Sequence, residues 1–113
     1  MKIKLTKGLK LKTKTTVYIK NQSYNNPSPG TLSSGTIVEV SGSPTRLSDV
    51  PFKVLTGTGK LHLSKITSTG EEQIEKQICS GDSGFFFAQG HETSAPYDYG
   101  TVHSSLFEVL NDN

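Results

Sequence analysis

Residues 9–20, Leu-Lys-Leu-Lys-Thr-Lys-Thr-Thr-Val-Tyr-Ile-Lys, set the tightest constraint on the fold. Leu9, Leu11, Val17 and Ile19 fall on odd positions, whereas Lys10, Lys12, Lys14 and Lys20 fall on even ones. Side chains alternate across a strand, so this period of two puts the aliphatic groups on one sheet face and the lysines on the other. A helix would scatter both sets around its circumference. The polar residues point the same way. Thr, Ser, Gly and Pro together make up 43 of the 113 residues. Thr favours strands, and Ser, Gly and Pro favour turns. An all-β protein rich in turns is expected, in a single domain spanning 1–113. A helical bundle and a large enzyme barrel are excluded. With 32% apolar residues and no Trp, the core is small and leaves room for a partner to complete it.

Further strands are expected at 2–5, 35–40, 51–55, 60–63 and 84–89, with loops at 21–30, 41–49 and 90–99. Thr56-Gly57-Thr58-Gly59 reads as a tight hairpin turn between two of these strands. In residues 71–78, Ile74 and Ile78 are four apart, which fits a helix face or one face of a strand. We read the segment as a strand. Ser105-Leu106-Phe107-Glu108 fits a capping box and predicts a final helical turn.

Charge is unevenly distributed. Residues 1–38 carry seven lysines and no acid, and residues 71–113 carry Lys76 against eight acids. The two ends either neutralise each other on one surface or leave a basic face open to a polyanion. The basic candidates are Lys2, Lys4, Lys10, Lys12, Lys14 and Lys20, with Tyr18 and Tyr24 available for stacking. Lysines two apart on a strand are ~6.6 Å apart, close to the phosphate repeat of a nucleic-acid strand. Such a stripe provides affinity without sequence readout. Tyr97-Asp98-Tyr99, after Pro96, forms an amphipathic loop suited to a protein interface.

Residues 12–67 resemble the bacterial SH3 domain family. Val17-Tyr18-Ile19-Lys20 matches its opening strand, and Pro27 and Pro29 fall in the following loop. Gly30-Thr31-Leu32-Ser33-Ser34-Gly35-Thr36-Ile37-Val38-Glu39-Val40 is similar to the family's central pattern. Phe52-Lys53-Val54 and Gly59 to Ile66 fit its later strands. The resemblance implies a small SH3-like barrel over 1–70, with 71–113 as an acidic β extension. Leu61 stands where the family usually has Trp, and Ile66 where it often has Tyr. Those aromatics often line the family's ligand surface. Gly59, His62 and Ser64 recur 41 residues later as Gly100, His103 and Ser105, which raises a second, incomplete β unit.

Cys79-Ser80-Gly81-Asp82-Ser83-Gly84 resembles the nucleophile loop of trypsin-like serine proteases. The resemblance implies Ser83 as nucleophile, with the Gly81 and Ser83 amides as oxyanion donors and His62 as base. The competing reading is a turn between two strands, which its Gly, Asp and Ser residues favour. No histidine or cysteine pair has metal-ligand spacing, so no metal or cofactor is expected. Cys79 is the only cysteine, and no apolar run reaches the ~18 residues of a membrane span. No signal peptide is evident, and a cytoplasmic setting is expected. The leading expectation is a non-catalytic binding module that docks on a protein or nucleic acid through its lysine-rich face, with oligomerisation open. A small serine hydrolase and a cell-wall-binding module are the alternatives.

Overall fold

A computed structural model of the chain describes residues 2–21, 28–43, 50–86 and 101–110. Within them lie β1 (Lys2–Lys4), β2 (Lys10–Thr13), β3 (Val17–Lys20), β4 (Pro29–Leu32), β5 (Ile37–Val40) and β6 (Val50–Thr56). They are followed by β7 (Gly59–Thr67), β8 (Gly70–Ile78), β9 (Ser83–Phe86), β10 (Thr101–His103) and β11 (Phe107–Val109). The class is all-β, as expected. β1 and β10 form a small sheet, and the other nine strands run in the order β11-β2-β5-β6-β9-β3-β4-β7-β8. All neighbouring strands are antiparallel. Among the described residues no helix is long and apolar enough to cross a membrane.

The nine-stranded sheet is rolled. Four strand steps separate β9 from β11, about 19 Å on a flat sheet. Yet the rings of Phe86 and Phe107 meet edge to face, with centroids 5.2 Å apart. Phe52 also lies against Phe86, with ring centroids 4.4 Å apart and planes tilted by 31°. Rolling lets one face of a sheet bury itself without a covering helix. The alternating residues Leu11, Ile19, Val38, Val40, Phe52 and Val54 all turn into this interior and are buried. Each contributes about 1.5–3 kcal/mol of apolar burial. Gly84, opposite Phe52, has no Cβ, and one built there would lie 2.8 Å from the Phe52 ring.

Two buried threonines pin the end of β2 to the turn before β5. Thr13 Oγ1 donates to Ser33 O at 2.7 Å and accepts the Thr36 N–H at 2.9 Å. Thr36 Oγ1 donates to Thr58 O at 3.0 Å and accepts the Thr58 N–H at 3.3 Å.

Four expectations change. The loop expected over 21–30 ends earlier, because Pro29 and Gly30 belong to β4, which pairs with β3 and β7. The alternating run 9–20 is not one strand. The chain bends at Lys14 and Thr15, where Lys14 N–H donates to Leu106 O at 2.8 Å, and β5, β6 and β9 separate β2 from β3. Thr56 to Gly59 is not a hairpin turn, because β6 pairs with β5 and β9 while β7 pairs with β4 and β8. Gly57, at φ +114°, instead carries the chain around Thr36. The closing residues form no helix. Residues 104–106 are a turn, and Phe107 starts a strand because its ring belongs to the core. The strand reading of 71–78 matches β8, whose nine residues pair in unbroken register with β7. The 59–66 and 101–107 segments differ in form. Ser64 sits within a strand and Ser105 within a turn.

Candidate functional site

Antiparallel pairing sets the charges of the outer face in rows. Lys10, Glu39, Lys53 and Ser83 lie opposite one another across β2, β5, β6 and β9. In the next row Glu108 of β11 lies opposite Lys12, which faces Ile37 on its other side. Lys14 is held over the adjacent turn, its Nζ donating to Ser104 O at 2.9 Å. On the far side of β9, Lys20 and Tyr18 share the outer face of β3, and Tyr18 is 61% exposed. The lysines therefore do not form one line. They sit on separate strands of one curved surface, with Glu39 between Lys10 and Lys53 and Glu108 beside Lys12 on the end strand. Lys4 lies on β1 in the small sheet, next to Lys2 in the same strand ladder. Tyr24, Tyr97, Asp98 and Tyr99 lie outside the described residues.

β7 and β8 form a long hairpin that departs from the body. β4 pairs with β7 only at Gly59–Leu61. Beyond that point the arm has no third strand among the described residues. A nine-residue strand is about 30 Å long, consistent with a molecule of 52 × 27 × 22 Å. Gly70 to Gln77 are all exposed. One face of the arm is polar apart from the exposed Ile66, and on it Lys60 Nζ lies 3.7 Å and His62 Nδ1 3.6 Å from the Glu75 carboxylate. On the same face the Ser64 hydroxyl donates to Glu71, and Gln73 Nε2 donates to Ser64 Oγ at 3.0 Å and to Glu71 Oε1 at 3.1 Å. The other face carries Leu61, Leu63, Ile74 and the pair Lys65 and Glu72.

The arm changes how the sequence's charge asymmetry resolves. The arm is neutral in sum, with Glu71, Glu72 and Glu75 equal in number to Lys60, Lys65 and Lys76; Glu75 lies near Lys60 and Glu72 lies opposite Lys65. The remaining described residues hold eight lysines (2, 4, 7, 10, 12, 14, 20 and 53) against Glu39, Asp82 and Glu108, a net +5.

The protease-like loop is built as a turn between β8 and β9. Asp82 Oδ2 accepts the Cys79 N–H at 2.8 Å, and Asp82 N–H donates to Cys79 O at 3.1 Å. The Gly81 N–H, one of the two amides the resemblance assigns to an oxyanion hole, donates to Val54 O at 2.8 Å. Ser83 pairs with Lys53 inside the β6–β9 ladder, and His62 lies against Glu75 on the arm. Gly84, the motif's last residue, makes room for Phe52. No group of three or more potential metal ligands occurs among the described residues.

Sequence reasoning missed the arm as a surface element. Its signal was present in residues 71–77, where Ile74 is the one apolar residue in a strand of charged and amide side chains. A strand that buries neither face belongs at the margin of a fold. Comparison with protein-family models, curated proteins and solved structures finds no match for this chain.

Proposed function

We propose that this chain is a non-catalytic binding module, built on an SH3-like rolled sheet, that docks on single-stranded nucleic acid through its basic outer face. The observation that carries this reading is the arm's net neutrality, three lysines against three acids, which leaves the rest of the described molecule at net +5. Lys10, Lys12, Lys53 and Lys20 supply cations across the curved face, and exposed Tyr18 supplies a stacking platform. Backbone contact of this kind positions a strand without reading its bases.

The test is fluorescence anisotropy with a labelled single-stranded oligonucleotide over a salt series. Four phosphate contacts give a log–log slope of about −2.8, so affinity falls roughly fiftyfold between 50 and 200 mM salt. Lys12→Glu weakens binding to every sequence alike and flattens that slope by about 1 or more. Binding that is flat in salt, or absent at low salt, rejects the assignment. Displacement by an acidic polypeptide but not by nucleic acid would move the partner to a protein.

A further inference from the structure

β8 is the end strand of the nine-stranded sheet, and its outer edge has no partner strand among the described residues. The two-residue turn at Ser68 and Thr69 makes Thr67 and Gly70 a hydrogen-bonded pair. By alternation, the N–H and C=O groups of Gly70, Glu72, Ile74, Lys76 and Ile78 point in toward β7. Those of Glu71, Gln73, Glu75 and Gln77 point out from the open edge. A regular edge of this length is a template for another strand. The distal arm also needs one, because a two-stranded ribbon with neither face buried is marginal in water.

We infer that the edge of β8 pairs with β8 of a second copy of this chain, antiparallel about a twofold axis at Ile74. Charge selects both the occupant and the register. Opposed residues in an antiparallel ladder share the same hydrogen-bonding direction, so a strand pairing with its own copy places one residue on the axis. With Ile74 there, Glu72 faces Lys76 twice, Gln73 faces Glu75, Glu71 faces Gln77 and Gly70 faces Ile78. No like charges oppose. With Gln73 on the axis, Glu71 would face Glu75 twice. Centring on Glu72, Glu75 or Lys76 sets each against itself. Only the Ile74 register brings opposite charges together without opposing like ones.

This register also completes the apolar stripe. Ile74 is the cross-strand partner of Leu63 and is 37% exposed. Across the dyad the row becomes Leu63, Ile74, Ile74 and Leu63, at the centre of a four-stranded sheet. Ile74 and its copy form a non-hydrogen-bonded pair with Cα atoms ~4.5 Å apart, the closer of the two antiparallel spacings. The surface involved is separate from the lysine face, so the dimer holds whether or not that face binds nucleic acid.

Sedimentation equilibrium on the full chain, with and without charge reversals, tests the inference. The wild type is a dimer at micromolar concentration. Lys76→Glu and Glu72→Lys each turn two attractive pairs into two repulsive ones and weaken the dimer at least tenfold. The double variant with both changes, made together with Lys65→Glu so that the Lys65–Glu72 cross-strand pair stays opposite in sign, restores it. Independently, Ile74→Cys in a Cys79→Ser background forms an interchain disulfide under mild oxidation, since the paired Cα spacing suits one. The native Cys79 does not, because each copy lies five residues from the axis and the two are about 33 Å apart. A wild type that is monomeric at 100 μM overturns the proposal. So does a dimer indifferent to the single reversals, or one that the combined reversal does not rescue.

Discussion

Gly84→Ala is the sharpest probe of the packing. A Cβ at this position would stand 2.8 Å from Phe52 Cζ and 3.2 Å from its Cε2. Phe52 is 1% exposed and packed against Phe86, so its ring has no free direction in which to move. Overpacking of this kind costs about 1–3 kcal/mol. Alanine also restricts the unfolded chain, which returns about 0.5–1 kcal/mol. The net expectation is a loss of about 1–2 kcal/mol. Phe52→Leu alone costs about 1–2 kcal/mol, below the range for complete removal of a buried ring. In the double variant the shorter side chain accommodates the new methyl. The two losses then fall short of additive by about 1 kcal/mol or more. Urea unfolding followed by far-ultraviolet circular dichroism reads this directly. With a slope of about 1.5 kcal/mol per molar, Gly84→Ala moves the midpoint by roughly 1 M. An unchanged midpoint, or a cycle additive to within about 0.3 kcal/mol, would refute the ring contact as the reason for glycine here.

Two further predictions concern the threonine network. Gly57→Ala costs more than about 2 kcal/mol, combining left-handed backbone strain with a methyl 2.7 Å from Thr36 Cα. Gly35→Ala, at φ +88° with nothing within 4 Å, costs only the strain, and the difference between their urea midpoints isolates the clash. Thr13→Val costs about 2 kcal/mol by removing the group that donates to Ser33 O and accepts the Thr36 N–H. Thr13→Ser keeps both bonds and costs about 1 kcal/mol, so the reverse order in thermal melts would show that the methyl matters more than the hydroxyl.

Alternation in the sequence marked much of the strand content and the inward side of β2 and β3. Leu11, Val17, Ile19, Val38 and Val40 are buried because a two-residue period admits only one such division. The turn at residues 79–82 was legible too, since Gly81 and Asp82 supply the φ and the acceptor that such a turn requires. Local pattern cannot say which strands become neighbours. The step from β6 to β7 looked like a hairpin because Gly57 and Gly59 suit one. Only the tertiary structure revealed that these glycines serve close approaches to Thr36 and to β4. Phe107 reads as helical in its own window, and a contact with Phe86, 21 residues away, makes it a strand residue. The lysines of 10–20 were visible as a basic set, but their division between β2 and β3 depends on three intervening strands drawn from elsewhere in the chain. Burial pattern is written residue by residue, whereas neighbourhood and net surface charge arise from the roll of the whole sheet.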